Sequence, residues 1–522
     1  MRTCGGPGAW RADVGRRSVV LAVFASLATF AGCSVGPDYV RPEAVPQMPE
    51  SFAGASDVWK PAVPADATPR GAWWELFGDP ELDRLEAEAA EGSQRLKAAT
   101  ARFAQARASA DVARSGLYPR IGVGAAATRQ HDSAERPLNT TGEAAGKSFT
   151  YPNFVVPFDL SWEPDLWGRV RRQVEAASAR EEAEAADGES VRLALTAEVA
   201  ADYFALRALD AERRFLLASV AGYERGLELA RSRRAAGLVP DLDVAQAETA
   251  LRTAEALLPP NALARSRFEH ALAVLTGRAA PLFHVPEGSL AGEPPLVPAG
   301  LPSELLERRP DVAAAERRMA AANASVGLAQ AAFYPSLRLG AVGGTQSIES
   351  GTLFSAPSRF WALGASLTAP LFQGGQLRAN LRVSQAAWDE AVARYREVVL
   401  VAFAEVEDNL AAQRLLADEH ERLAVAAAAA RRQADIARSR YEHGLASYLP
   451  VVTAETLLFE RERAVVRSRG QRAAAAVALV KSLGGAIPPT EGASAPASPG
   501  PSATSTPSTP RSETGARVHE ER

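Results

Sequence analysis

The run FVVPFDLSW, residues 154–162, places Phe154, Val156, Phe158, Leu160 and Trp162 at even positions with Asp159 and Ser161 between them. Apolar residues at every second position read as a β-strand that turns one face away from water. The same signal returns from Trp361, where Leu363, Ala365, Leu367 and Leu371 alternate with Gly364, Ser366 and Thr368. Ile121, Val123, Ala125 and Ala127 give a third strand, and Leu337, Leu339 and Ala341 a fourth. Alternation over about ten residues suits a strand that crosses a membrane with its apolar side to lipid and its polar side to a lumen. Asp159, Glu163 and Arg338 are then lumen-facing, because a water-filled interior tolerates charge where a lipid face does not.

Four strands cannot close a barrel. A sheet with bare edges leaves N–H and C=O groups unpaired in lipid, so neighbouring copies of the chain must supply the missing strands. Two copies would give eight strands around an interior filled by side chains, whereas three give twelve strands and a lumen. The expectation is a homotrimer.

Outside the strands the period is helical, and the sequence repeats. ARSRRAAGL (230–238) returns as ARSRYEHGL (437–445) at an offset of 207, which also relates Ala197-Glu198-Val199 to Ala404-Glu405-Val406, and Gly277 to Gly484. SGLYP ending at Pro119 corresponds to AAFYP ending at Pro335 at an offset of 216, so the first copy carries an insertion of about nine residues, which belongs in a loop. Each copy reads as helix (81–116, 303–333), two strands, then long helices. Leu216, Val220, Tyr223, Leu227 and Ala230, then Val244, Ala247, Leu251, Ala254 and Leu258, form coiled-coil seams on either side of Gly237. Leu423, Ala427, Ala430, Ala434 and Ala437, then Val451, Ala454, Leu458 and Val465, do so around Gly444, with Arg461 as the exception. Gly237-Leu238 and Gly444-Leu445 are thus the tips of two helical hairpins. About seventy proline-free residues separate Gly168 from Gly237, enough for a helix of roughly 100 Å.

The chain ends set the compartment. Arg2, Arg11, Arg16 and Arg17 precede the apolar run 18–30 and then Ala31-Gly32-Cys33, an export signal too short to remain as a span. FAGC resembles a bacterial lipobox, in which Cys33 is acylated with palmitate-type chains and becomes the first mature residue; Ser34 resembles the choice that sorts to the outer membrane. Without residues 1–32 the chain carries 54 basic and 61 acidic residues, a net charge of −7, and one cysteine, so no disulfide supports it. With no basic excess and scattered histidines, nucleic acid is not an expected partner. The organisation expected is a signal (1–32), a lipidated extended segment (33–80), repeat 1 (81–277), a Pro/Gly-rich linker in an equatorial region (278–302), repeat 2 (303–485) and a Pro/Ser/Thr-rich disordered tail (486–522).

CSVGPDYVRP after the lipobox, WWELFGDPELDRL (73–85), AGLVPDLDVAQAE (236–248) and LPSELLERRPDVAAAE (301–316) with the downstream AAFYP resemble signatures of the outer-membrane efflux factors, the TolC-type channel-tunnels, in their NodT-type lipoprotein branch. That resemblance covers nearly the whole mature chain. It implies a mixed, mainly α fold in which long periplasmic hairpins form an α-barrel below a trimeric twelve-stranded β-barrel. It implies the exit duct of a tripartite pump, anchored in the outer membrane of a Gram-negative-type cell and working with a periplasmic adaptor and an inner-membrane transporter of the resistance-nodulation-division type. By the same resemblance, Gly237, Leu238, Gly444 and Leu445 are adaptor contacts, and Asp241 and Asp243 stand near the periplasmic aperture. Pro450 and Thr453 occupy the second-copy places where relatives carry carboxylates.

Nothing in the sequence performs catalysis or binds metal. TGEAAGKS (141–148) only approximates a phosphate-binding loop, since Thr141 stands where its first glycine belongs and a strand, not a helix, follows. No HExxH or paired CxxC occurs, so no enzyme activity and no cofactor beyond the Cys33 lipid are expected. Two alternatives stand beside small-molecule efflux: a duct for type I protein secretion, and a periplasmic coiled-coil scaffold lipoprotein without a channel.

Overall fold

The computed structural model describes residues 34–44, 71–135, 148–290, 292–293 and 308–485. The expected signal, Cys33, residues 141–147 of the polar loop, most of the linker beyond 290, residues 303–307 and the tail from 486 lie outside them.

The described strands form one antiparallel sheet. β1 (Arg120–Val123) and β2 (Ala126–Asp132) both pair with β3 (Phe149–Trp162), which pairs with β4 (Ser336–Ser347), which pairs with β5 (Arg359–Thr368). Val123 lies opposite Phe158 and Ala126 opposite Val155, a single unbroken register, so β1 and β2 are one strand with a gap at Gly124 and Ala125. The cause is Pro157. It has no N–H to donate, and only its carbonyl takes part, accepting from the Gly124 N–H at 3.0 Å. On its other side Pro157 faces Gly344, where a Cβ would overlap the Val156 carbonyl. The sheet therefore has four strands, as expected, although β3 begins five residues before Phe154. Among the described residues, the outer edges of β1–β2 and β5 have no strand beside them.

Eight α-helices complete the described structure: α1 (Pro80–Gly92), α2 (Gln94–Ser115), α3 (Arg169–Ala235), α4 (Asp241–Glu255), α5 (Leu258–Leu275), α6 (Pro310–Ala331), α7 (Gln376–Glu442) and α8 (Leu449–Ser482). α3 and α7 are each 67 residues long, and every boundary of one lies 207 positions from that of the other. Both follow a left-handed glycine, Gly168 (φ 79°) or Gly375 (φ 89°), and both stop at another, Gly237 (φ 71°) or Gly444 (φ 70°). At each stop the glycine N–H donates three residues back and the next leucine's N–H five back, Leu238 to Arg233 (2.9 Å) and Leu445 to Arg440 (2.8 Å). This satisfies carbonyls that the helix end would leave unpaired.

Two expectations need correction. The helix expected over 81–116 is α1 plus α2, broken at Ser93, whose Oγ accepts from the Leu96 N–H. The break fits the crossing of Gly92 and Gly277, where a Cβ on either would overlap the other strand of chain. Second, the seam read from Val244 to Leu258 is not one helix. α4 ends at Glu255 and α5 restarts at Leu258 with Pro259 and Pro260 in its first turn, where missing N–H groups cost nothing. α8 carries Val466 and Arg467 at the matching places and runs unbroken.

The largest core lies midway along the long helices, where Trp73, Leu82, Leu85, Tyr203, Phe204, Leu272, Met319, Tyr395 and Leu479 are buried together. Asp210 is buried beside it and accepts from Arg207 (3.1 Å), Arg265 (2.7 Å) and the Gly288 N–H (3.1 Å), which ties the start of the linker to α3 and α5. Residues 34–44 run as a strap across three helices. Arg172 of α3 donates to the Val35 and Gly36 carbonyls and to Asp38, Asn323 of α6 donates to the Pro37 carbonyl (3.1 Å), and Arg41 donates to the Tyr395 hydroxyl of α7 (3.0 Å).

Candidate functional site

The sheet has two unlike faces. Cross-strand partners share a face, so the registers put Ile121, Val123, Phe158, Leu160, Leu339, Trp361, Leu363 and Leu367 on one side. These are not core residues: Ile121 is 76% exposed, Trp361 78% and Leu363 74%. An apolar face of this kind has no stable place in water. From Phe154 to Trp162 it runs about 27 Å along the strand, the scale of an outer-membrane apolar band. Among the described residues no helix is long and apolar enough to cross a membrane.

The opposite face carries Gly122, Asp159, Ser161, Arg338, Gly340, Gly364 and Ser366. Small residues dominate it, leaving space and not packing. Asp159 is exposed opposite Gly122, where a Cβ would press on its carboxylate at 2.7 Å. Glu163, just past β3, is held by Arg169 at the head of α3 through two bonds of 2.9 Å, so it is a fastened residue. Arg338 is exposed on the same face. Arg120, not singled out by the sequence reading, belongs there too, because it lies opposite Ser161.

At the far end of the helices the two hairpin tips meet. Tyr223, Leu227, Ala230, Ala247, Leu251, Tyr441, Tyr448 and Val451 bury one another, drawing on α3, α4, α7 and α8. No Cβ added at Gly237 or Gly444 would touch anything, so these glycines are required by the left-handed turn and not by crowding. Leu238 and Leu445 project outward, 73% and 71% exposed, with Leu242 and Leu449 beside them in sequence also exposed. Asp241 is exposed and paired with Arg234 at 2.5 Å, which holds its carboxyl below the ordinary value. Asp243, one turn-fraction away, is buried. The two aspartates are therefore unequal in this chain, a distinction that spacing alone does not give.

Sequence reasoning missed the residue that joins the tips. Arg233 donates to the Tyr441 carbonyl and the Glu442 carbonyl at 2.7 Å each, and its guanidinium lies 4.5 Å from the centre of the Tyr441 ring. The signal lies in the 207-residue repeat, where ARSRR differs from ARSRY at the residue after Arg233 and Arg440.

A family model described as outer membrane efflux protein matches residues 85–278 and 301–485. The chain is 34% identical over 460 residues to the toluene efflux pump outer membrane protein TtgF of Pseudomonas putida, covering 87% of this chain and 94% of that protein. It is 34% identical over 464 residues to outer membrane protein OprJ of Pseudomonas aeruginosa, covering 88% and 94%. Among solved structures, the outer-membrane channel OprN superposes with a TM-score of 0.77 at 29% identity, covering 87% of this chain and 99% of that one.

Proposed function

This chain belongs to the outer membrane efflux protein family, and on that premise we propose that it is the passive outer-membrane duct of a tripartite efflux pump for drugs or other small molecules. The observation that carries the reading is the sheet: four strands, an exposed apolar face, a polar face of small residues, and two outer edges unpaired among the described residues. Such edges are excluded from lipid unless other strands cover them. Three copies set edge to edge give twelve strands enclosing water, with the duplicated hairpins continuing the duct as a helical tunnel. The 67-residue helices supply roughly 100 Å of reach toward the inner membrane.

Two further features belong to the same proposal. Acyl chains on Cys33 would anchor the chain end, each buried CH₂ contributing roughly 0.8 kcal/mol. Ser34 lies against Gly168 at the junction of sheet and helices, which suits an anchor next to the barrel base. The exposed leucines at the tips suit an apolar contact with the adaptor, which links the duct to an inner-membrane transporter. A passive duct of this kind takes its drive from those partners.

Purified protein in a planar bilayer tests the reading. Discrete single-channel steps are expected, and a refolded, membrane-inserted protein that passes no current would refute it. Replacement Cys33→Ser should abolish acyl labelling, and persisting label would refute that assignment alone.

A further inference from the structure

We propose that Arg120 and Arg338 form an anion-binding subsite where the β-barrel opens into the helical tunnel, taken by the carboxylate, sulfonate or phosphate groups of passing solutes. This rests on the reading of the sheet as a channel wall with its polar face inward.

The registers place two polar-face rows at the base of the sheet. Arg120, Ser161, Gly340 and Gly364 make one row, and Arg338 with Ser366 lies in the row below, toward the helices. A cavity of about 360 Å³ opens there, lined among others by Tyr118, Arg120, Glu163, Arg169, Gln173 and Arg338. Three guanidinium groups and one carboxylate share it. The carboxylate is already spent, because both Glu163 oxygens accept from Arg169 at 2.9 Å. Arg120 and Arg338 are both exposed, and among the described residues neither makes a side-chain hydrogen bond or an ion pair. Their row neighbours Ser161, Gly340, Gly364 and Ser366 are too small to cover them. Asp159, one polar-face row further into the sheet, is the nearest carboxylate on that face without a partner, so each chain keeps a net positive charge at this level.

Among the described residues no bond fixes either guanidinium to the fold. A guanidinium presents a planar fork of donors that matches carboxylate, sulfonate and phosphate oxygens two at a time, and a narrow mouth lined by one sign of charge raises the local concentration of the opposite ion. Conduction needs such a site to attract without trapping, and two solvent-exposed arginines meet that condition where a buried cage would not.

The test is the reversal potential of the full-length protein in a planar bilayer under a KCl gradient. The wild type should favour chloride, and the double variant R120A/R338A should lower the chloride-to-potassium permeability ratio by at least about threefold. R120K/R338K should retain most of the preference, and D159N should raise it. R359A, on the opposite face at the other end of β5, should leave it unchanged. A conducting wild type without anion preference, or a double variant with the wild-type ratio, overturns the subsite while leaving the channel intact. Absence of any conductance overturns the channel reading and the subsite together.

Discussion

The guanidinium of Arg233, at the end of one long helix, caps the end of the other: it donates to the Tyr441 and Glu442 carbonyls at 2.7 Å and lies over the Tyr441 ring. Those carbonyls belong to the last turn of α7, where the Tyr441 oxygen also accepts the Gly444 N–H and the dipole favours a cation. R233A should cost roughly 1.5–3 kcal/mol locally. Hydrogen exchange checks this: amides of Gly444 and Leu445 should exchange faster, while those of the central core stay protected. R233K should rescue only in part, since an ammonium cannot span both carbonyls and stack on the ring.

Glu86 gives a prediction of opposite sign. It is 1% exposed among Leu82, Leu85 and Ala89, and neither carboxyl oxygen has a hydrogen-bond partner among the described residues. Burial, helped by Asp83, pushes its pKa up to about 9. Between the ordinary carboxyl value and about 9, the native state keeps a proton that the unfolded chain has lost, so native stability falls as pH rises through that window and levels off above it. Thermal midpoints taken at about pH 6 and about pH 8.5 should fall in the wild type and change less in E86Q. E86L should be more stable than wild type at the higher pH by roughly 1–3 kcal/mol, because it removes an unsatisfied polar group.

The strap depends on one buried arginine and one glycine. Arg172, with a side chain 5% exposed, holds the Val35 and Gly36 carbonyls and Asp38, and a Cβ at Gly36 (φ 109°) would overlap Gly327 of α6. Either R172A or G36V should release residues 34–44 from the helices. Chymotrypsin cleavage after Tyr39 should then accelerate by an order of magnitude or so, as expected for roughly 1.5 kcal/mol of lost closure. An unchanged cleavage rate would mean that Tyr39 and Arg41, through Glu316 and Tyr395, hold the strap without it.

The exposed tip leucines predict a separable loss. L238E together with L445E should abolish capture of the adaptor and drug efflux in cells while leaving the conductance of the purified channel in place. Loss of conductance as well would place these leucines in the fold of the tip and not on its docking surface.

Much of this was legible in the sequence because two simple periods carry it. The even-numbered residues from Phe154 to Trp162 do share one face, and the glycines at 237 and 444 do take left-handed conformations at helix ends. What escaped depends on which segments meet. The gap at Gly124 follows from Pro157 only once the register is known. The Ser93 break accompanies a crossing with Gly277, nearly two hundred residues away. The Pro259-Pro260 pair was visible and should have ended the seam at Glu255. Neither burial of Asp243 nor the grip of Arg169 on Glu163 can be inferred from spacing, because both depend on how a turn directs its side chains.

The central claim is that a chain with four strands and two open edges completes its barrel with copies of itself. Native mass spectrometry of the detergent-extracted protein tests it most directly. Three polypeptides per particle are predicted. A single polypeptide, with its strands intact and its apolar sheet face still exposed, would contradict it.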